Sequence, residues 1–253
     1  MRFDGKVVIV TGAGSGIGAA TARLFSQEGA CVVLAGRRTE KLQAVAAGLS
    51  ADRTFVRKTD VADEADVSAL IAATIERFGR LDTLVNNAGV GAAGPLATAE
   101  TALWKDVMAT NVDGVFYACR AAIPHLLKTK GSIVNVSSVS GIGGDWYMAM
   151  YNASKGAVSN FTRGLALEFG VRGVRVNAVN PSLTVSEMTA GMLGSDALMA
   201  KFKERIPLGR AAAAEEVAPV IAFLASDDAR FVNGVNLPVD GGLSASNGQP
   251  RLG

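Results

Sequence analysis

Short apolar runs rich in β-branched residues alternate along the chain with longer stretches whose apolar positions recur at helical spacing. KVVIVTG precedes GIGAATARLFSQEG, ACVVLAG precedes a helix expected from about Thr39, and TFVRKTDV precedes ADVSALIAATIERFG. The rhythm continues through LDTLVNNAG, a long helix expected through Val107 to Leu127, GSIVNVSS, a helix from about Met150 to Phe169, and VRVNAVNP. EEVAPVIAFLAS then leads into VNGVNLPVDGG, the last expected strand. The strands are almost continuously apolar, as they must be when helices cover both faces of a parallel sheet. The pattern therefore predicts an α/β fold, a doubly wound parallel sheet of about seven strands with helices on both faces. One segment breaks the rhythm. Ser182 to Pro207 carries Gly and Met but no strand pattern, and it reads as a helical substrate lid over the carboxyl edge of the sheet. A polar tail is expected over 243–253.

Composition narrows the classes. At 253 residues, with no linker-like stretch, the chain is read as a single domain over 1–253. No apolar run is long enough to span a bilayer, and MRFDGKVVIV lacks a basic segment followed by a cleavable apolar one, so a cytoplasmic, membrane-free protein is expected. A net charge of +2 with both signs interspersed forms no stripe for nucleic acid, which leaves a small molecule as the expected partner. Cys31 and Cys119 lack metal-ligand spacing and read as reduced, buried thiols. His125 is the one histidine, too few for a dyad or a metal site, and no metal is expected. Met188, Met192 and Met199 read as an adaptable apolar cover.

TGAGSGIG, Thr11 to Gly18, lies between the first strand and the first helix, a context in which backbone N–H groups and a helix N-terminus face a pyrophosphate. The spacing Gly12-x-x-x-Gly16-x-Gly18 lengthens the six-residue GxGxxG fingerprint, and Ser15 and Ile17 belong to the same turn. This is the phosphate turn of a Rossmann-like fold. An acidic residue is expected about 20 residues further on where an adenine ribose 2′-OH is to be held. Here the second strand ends at Gly36, followed by Arg37 and Arg38. With no carboxylate to repel a phosphate and two guanidinium forks beside it, the corner favours NADP(H), with NAD(H) possible. The plainer alternative is a pair of solvated arginines at a helix start, where they oppose the helix dipole. Asp60, next to Val61 after the third strand, reads either as an adenine contact or as a helix cap.

Tyr151 and Lys155 lie one helical turn apart on the same face. A free phenol titrates near pKa ~10, and a neighbouring cation favours the phenolate, so Lys155 is expected to bring Tyr151 toward the range of a general acid/base. Ser138 stands at the carboxyl end of the GSIVNVSS strand, where ligands meet such sheets, and its hydroxyl is placed to orient a substrate oxygen. Tyr147, one turn before Tyr151, lacks a matching lysine and reads as a pocket wall.

These elements together resemble the short-chain dehydrogenase/reductase family, whose single-domain members carry TGxxxGxG, NNAG, an Asn in the following helix, Ser and YxxxK. All five occur in order here, as TGAGSGIG, Asn86-Asn87-Ala88-Gly89, Asn111, Ser138 and Tyr151 with Lys155, and the resemblance runs from KVVIV to VDGG. It implies that Tyr151 exchanges a proton with the substrate oxygen, Ser138 holds that oxygen, Lys155 binds the nicotinamide ribose and Asn111 anchors a water of the proton relay. It also implies that Asn87, Ala88 and Gly89 border the cofactor, while Asn86 is structural. Two departures stand out. Pro181-Ser182 replaces the family's Pro-Gly, and Thr184 and Ser186 stand where a β-branched apolar residue and a Thr are frequent, in the stretch that meets the carboxamide. MRFD, SVSGIGGDW, NPSLT, LGRAA and GGLSASNGQP further resemble the bacterial acetoin-forming 2,3-butanediol dehydrogenases, a branch that commonly carries Asp at the position of Gly36 and uses NAD. The implied pocket for a small ketone, diketone or hydroxyketone includes Ser140, Asp145, Trp146, Leu183 and Met188, with core packing the alternative for Trp146 and Met188. A homotetramer is implied as well, in which a neighbour's Gln249 reaches the pocket mouth. An acyl-carrier-protein ketoreductase is a further reading, weakened by the scarcity of basic residues before Lys201 in the lid. A non-catalytic cofactor sensor would not need Asn111, Ser138, Tyr151 and Lys155 together.

Overall fold

The computed structural model describes residues 1–249. Seven strands, β1 (Val7–Thr11), β2 (Cys31–Gly36), β3 (Thr54–Lys58), β4 (Thr83–Asn86), β5 (Ser132–Val136), β6 (Arg175–Pro181) and β7 (Asn236–Val239), pair in parallel in the order β3-β2-β1-β4-β5-β6-β7. The helices are α1 (Gly16–Gln27), α2 (Thr39–Ala46), α3 (Glu64–Phe78), α4 (Thr101–Met108), α5 (Gly114–Thr129), α6 (Ala149–Gly170), α7 (Ala190–Leu193), α8 (Asp196–Arg205) and α9 (Ala214–Ala225).

The continuous apolar runs make sense once the two faces are separated. Val7 and Ile9 of β1 point into one core with Leu84, Ile133 and Val176, covered by Leu70 of α3 and Leu126 of α5. Val8 and Val10 point into the other with Val85, Val134 and Val179, covered by Phe25 of α1, Leu42 of α2 and Ile221 of α9. Each such buried side chain contributes about 1.5–3 kcal/mol, and a one-residue slip of β1 would exchange its two sets between the cores. The register is held on both sides, with Val10 opposite Leu34 and opposite Val85. Local signals agree with the packing at α3, where Asp63 accepts from the N–H groups of Ala65 (2.8 Å) and Asp66 (3.3 Å) and Gly79 ends the helix at φ 73°.

The helix expected from Val107 to Leu127 is different in kind. It starts earlier, at Thr101, and a π turn over Ala109–Asp113 separates α4 from α5. The apolar spacing on either side is helical, and nothing in that spacing reports a hydrogen bond lengthened by one residue. The 182–207 segment holds α7 and α8 and no strand of the sheet, although Thr184 makes an isolated bridge to Ala212. Among the described residues no helix is long and apolar enough to cross a membrane. Strand order reverses between β1 and β4, so the loops leaving their carboxyl ends diverge and open a crevice there.

Candidate active site

The first wall of this crevice is the turn after β1. Gly12 and Gly16 have φ of 64° and 51°, values an L side chain resists. A Cβ on Gly12 would lie 2.8 Å from Asn87 Nδ2 and 2.9 Å from Ala88 Cα, and one on Gly18 would run into the Gly12 carbonyl. The turn is braced from β4. Thr11 Oγ1 accepts from the N–H groups of Asn87 (3.0 Å) and Ala88 (3.1 Å), and Asn87 Nδ2 donates to the carbonyls of Thr11 (2.9 Å) and Gly12 (3.2 Å). The Asn87 amide is therefore committed to the protein, although the residue borders the crevice as Ala88 and Gly89 do. Asn86 is structural, donating to Asn135 Oδ1 at 2.9 Å. The first turn of α1 carries no acidic side chain and the Ser15 hydroxyl makes no capping bond, which leaves its N–H groups and positive dipole end for an anion. Gly12, Ser15, Gly16 and Ile17 line the crevice here, with Gly18 packed behind them. A pyrophosphate fits this donor set.

The corner after β2 is more exposed. A Cβ on Gly36 would meet nothing nearer than Leu42 Cδ2 at 3.5 Å, so the missing side chain is not a steric necessity. Arg37 and Arg38 line the crevice with their side chains largely in solvent. Arg38 Nη2 lies 2.7 Å from Glu187 Oε2, and Lys41 Nζ lies 2.8 Å from Glu187 Oε1. Asp60 and Val61 line the same end. Asp60 does not cap α3, a place taken by Asp63; its Oδ1 accepts from the Ala62 N–H at 3.1 Å.

The third group gathers where β5 and α6 meet. Lys155 is buried, its Nζ donates to the Val136 carbonyl at 2.8 Å, and burial brings its pKa down to about 8. Tyr151 does not behave as the Lys155 charge alone predicts. Burial raises its pKa above the usual tyrosine value, Ser138 draws it back, and the Asp145 charge adds to the rise. Lys155 Nζ stands 5.7 Å from the tyrosine ring centroid with its hydrogen bond turned to Val136, which is why it does not dominate. Ser140 donates to the Asp145 carboxylate, so its single proton is spent there, and in the 3.0 Å contact between Ser138 and Ser140 it is Ser138 that donates. Asn180 Nδ2 fixes the Ser138 carbonyl at 2.7 Å. Asn111 lies in the π turn, buried, with Oδ1 accepting from Val90 N (2.8 Å) and Nδ2 donating to Val90 O (2.9 Å) and Ser154 Oγ (3.0 Å). Such turns recur at functional sites because they aim side chains or carbonyls out of helical register.

Tyr151, Lys155, Ser138, Pro181, Thr184, Ser186 and Met188 border one crevice of about 420 Å³ with the phosphate turn and the arginine corner. Asn111, Ser140, Asp145 and Leu183 stand behind that wall. Trp146 is a correction. It is 91% exposed and neither lines the crevice nor packs in a core, and Tyr147, read as a pocket wall, is 72% exposed. The cause is local, since Tyr147 has φ 59° and the loop before α6 turns both rings outward. Gln249 is exposed and does not border its own chain's crevice, and the last four residues of the tail, 250–253, lie outside the described residues. Among the described residues no three His, Cys, Asp or Glu side chains cluster as metal ligands. His125 is partly buried, which with Lys128 lowers its pKa, and burial pushes the Cys119 thiol up to about 12. Sequence reasoning missed Lys41, Glu187, Asn180 and Ser154. Lys41 and Glu187 are 146 residues apart, and no local pattern pairs them.

Fold and site together define an NAD(P)-dependent oxidoreductase of the doubly wound α/β class. Comparison with known proteins agrees. A family model described as Enoyl-(Acyl carrier protein) reductase matches residues 12–244. The chain is 52% identical over 252 residues to the meso-2,3-butanediol dehydrogenase of Serratia marcescens, covering 100% of both chains. Among solved structures, levodione reductase matches with a TM-score of 0.93 at 37% identity over 97% of this chain and 100% of that one. A gluconate 5-dehydrogenase from Burkholderia cenocepacia J2315 in complex with NADP and tartrate matches with a TM-score of 0.91 at 34% identity, covering 97% and 98% of the two chains. The chain belongs to the short-chain dehydrogenase/reductase family and is an NAD(P)-dependent alcohol dehydrogenase or reductase.

Proposed function

We propose that the protein interconverts a small hydroxyketone or diketone and the corresponding secondary alcohol, with NADP(H) favoured and NAD(H) accepted, and that Tyr151 is the acid/base. The observation that carries this reading is the gathering of Ser138, Tyr151 and Lys155 on the crevice that also runs along the phosphate turn. The nicotinamide, when bound, supplies or takes up the hydride. Gly12, Ser15, Gly16 and Ile17 hold the pyrophosphate, Asp60 and Val61 flank the adenine, Arg37 and Arg38 take the 2′-phosphate, and Lys155 meets the nicotinamide ribose. Pro181, Thr184 and Ser186 face the carboxamide.

The proton path belongs to the chain itself. Tyr151 Oη gives its proton to a ketone oxygen or takes one from an alcohol. Ser138 Oγ accepts from the Ser140 N–H at 3.2 Å and donates to the Ser140 hydroxyl at 3.0 Å, and it supports a substrate oxygen by turning that hydrogen from Ser140 into the site. Lys155, brought by burial to a pKa of about 8, passes protons between Tyr151 and the water held at Asn111. The amide of Asn111 is engaged with Val90 and Ser154, which leaves the second Oδ1 lone pair for that water.

The substrate reading rests on three supports. Ser140 and Asp145 lie behind Ser138 and hold its hydroxyl in place; Met188 supplies apolar surface in the crevice, with Leu183 buried behind it; and a relative sharing 52% of its residues is a meso-2,3-butanediol dehydrogenase. The 182–207 segment acts as the lid within a single domain. A homotetramer in the cytoplasm completes the reading, supported by the exposed apolar Trp104 on α4 and Phe116 on α5. Gln249 reaches a neighbour's pocket mouth in it, and a chain truncated after Gly242 that kept full selectivity would remove that last role. The principal test is initial-rate kinetics with NADPH and NADH in parallel on acetoin, diacetyl, a cyclic ketone and an aryl ketone. The expected result is turnover of acetoin and diacetyl above the bulky ketones, faster with NADPH; no turnover of either vicinal dioxygen substrate would overturn the substrate reading.

A further inference from the structure

The segment that covers the crevice touches the phosphate end at two neighbouring residues. Ser186 packs on the turn, close enough that a Cβ on Gly16 would lie 3.2 Å from Ser186 Cβ. The next residue, Glu187, spans Arg38 and Lys41 with one carboxylate oxygen each, at 2.7 and 2.8 Å. Lys41 is itself part of the turn's surroundings, since a Cβ on Gly14 would lie 2.9 Å from its Cβ. Arg38, Lys41 and Glu187 all line the crevice. The two cations beside the carboxylate-free end of β2 are thus already bridged by an anion of the protein's own.

We propose that Glu187 sets the discrimination between phosphorylated and unphosphorylated cofactor, because its carboxylate occupies the cations on which a 2′-phosphate rests. The proposal deepens the NADP(H) reading and rests on it. A 2′-phosphate carries the same recognition chemistry as the carboxylate, charge and acceptor oxygens set for a guanidinium fork and an ammonium, and two anions cannot share the corner without repulsion. A cofactor that bears the phosphate must displace Glu187, while one with a free 2′-hydroxyl leaves the bridge in place. The bridge is open to solvent, with side-chain exposures near one half on all three partners, so it is weak enough to be displaced and strong enough to bias the choice. Lys41 thereby becomes a third cation of the phosphate site, in addition to the two arginines that the sequence marks.

The test is calorimetric titration of the full chain with adenosine 2′,5′-bisphosphate and with adenosine 5′-monophosphate, which differ only in the phosphate at issue. Glu187→Gln keeps the size of an exposed side chain and removes its charge. It is expected to tighten the bisphosphate roughly three- to tenfold and leave the monophosphate within about twofold, and the gain should shrink in the double variant with Arg38→Ala, where only Lys41 remains to be released, and vanish when Lys41→Ala is added. An unchanged ratio of the two ligands in Glu187→Gln, with Arg38→Ala alone still weakening the bisphosphate, would overturn the proposal while the NADP(H) reading stands. A bisphosphate that binds no more tightly than the monophosphate in wild type and in Glu187→Gln alike would overturn both.

Discussion

The two ends of the crevice are built on opposite terms. At the catalytic end the decisive groups are buried and engaged with the protein: Lys155 on the Val136 carbonyl, Asn111 with three amide bonds made, Ser138 inside a chain of hydroxyls that ends at Asp145. At the adenosine end the decisive groups are charges in solvent, Arg37, Arg38, Lys41 and Glu187, joined by ion pairs that water screens. On the proposed reading, the chemistry is held where a change is costly, and cofactor choice where a change is cheap. A single scaffold can thereby keep its reaction while its cofactor drifts.

The sharpest way to break this contrast is at Tyr151. Tyr151→Phe removes the only atom assigned to exchange the proton and should lower kcat by about 10²–10⁴-fold, with NADPH affinity by fluorescence titration changed little. Unaltered turnover of every ketone would refute the acid/base role. Asn111→Leu probes the same end through stability. It strands the N–H and C=O of Val90 and removes a donor from the Ser154 hydroxyl, which still donates to the Tyr151 carbonyl at 2.8 Å, and thermal or denaturant unfolding should show a loss of about 2–4 kcal/mol.

At the other end, Gly36→Asp has room for its side chain and places a carboxylate against the 2′-phosphate. The NADPH-to-NADH ratio of kcat/KM should fall by about tenfold or more, with thermal stability almost unchanged. An unmoved ratio would show that the arginine corner does not read the phosphate.

Lys155→Met sharpens the comparison most subtly. The folded protein holds Lys155 at about 8 against 10.5 for the free side chain, so the unfolded chain binds more protons between those values and wild-type stability rises with pH across that window. Below pH 8 the burial penalty is fully present. The variant should therefore be more stable than wild type at pH 7, by about 1–2 kcal/mol after the loss of the Val136 hydrogen bond, and the gap should close toward pH 10. Paired Tm measurements at pH 7 and 9.5 check it, since other groups cancel between the two proteins.

What the sequence discloses follows the same division. The strands are legible because both faces of a parallel sheet are buried, which writes each one as an unbroken apolar run such as VVIVT. TGAGSGIG and the Tyr151–Lys155 pair are legible because their chemistry is local, fixed by a turn or by one helical repeat. The Glu187 bridge is not, since exposed charges leave no pattern that selects a partner 146 residues away. Trp146 misleads for the converse reason. Its apolar ring implies enclosure, but an outward loop next to a positive φ decides where it points.

The π turn at Ala109–Asp113 also has a bearing on how this protein tolerates changes of length. A π turn holds one more residue than the α-helical turn it replaces, and each residue of an α-helix advances the chain by about 100°. Deleting any one residue from 109–113 would let the flanking helices join in one unbroken spiral. Because the extra residue lies within the same revolution, α4 and α5 would stay nearly in phase and Val107 would stay buried; what would be lost is the widened turn that holds Asn111 against Val90 and Ser154. The smallest deletion in this stretch would thus leave an ideal helix, an intact core and a displaced Asn111.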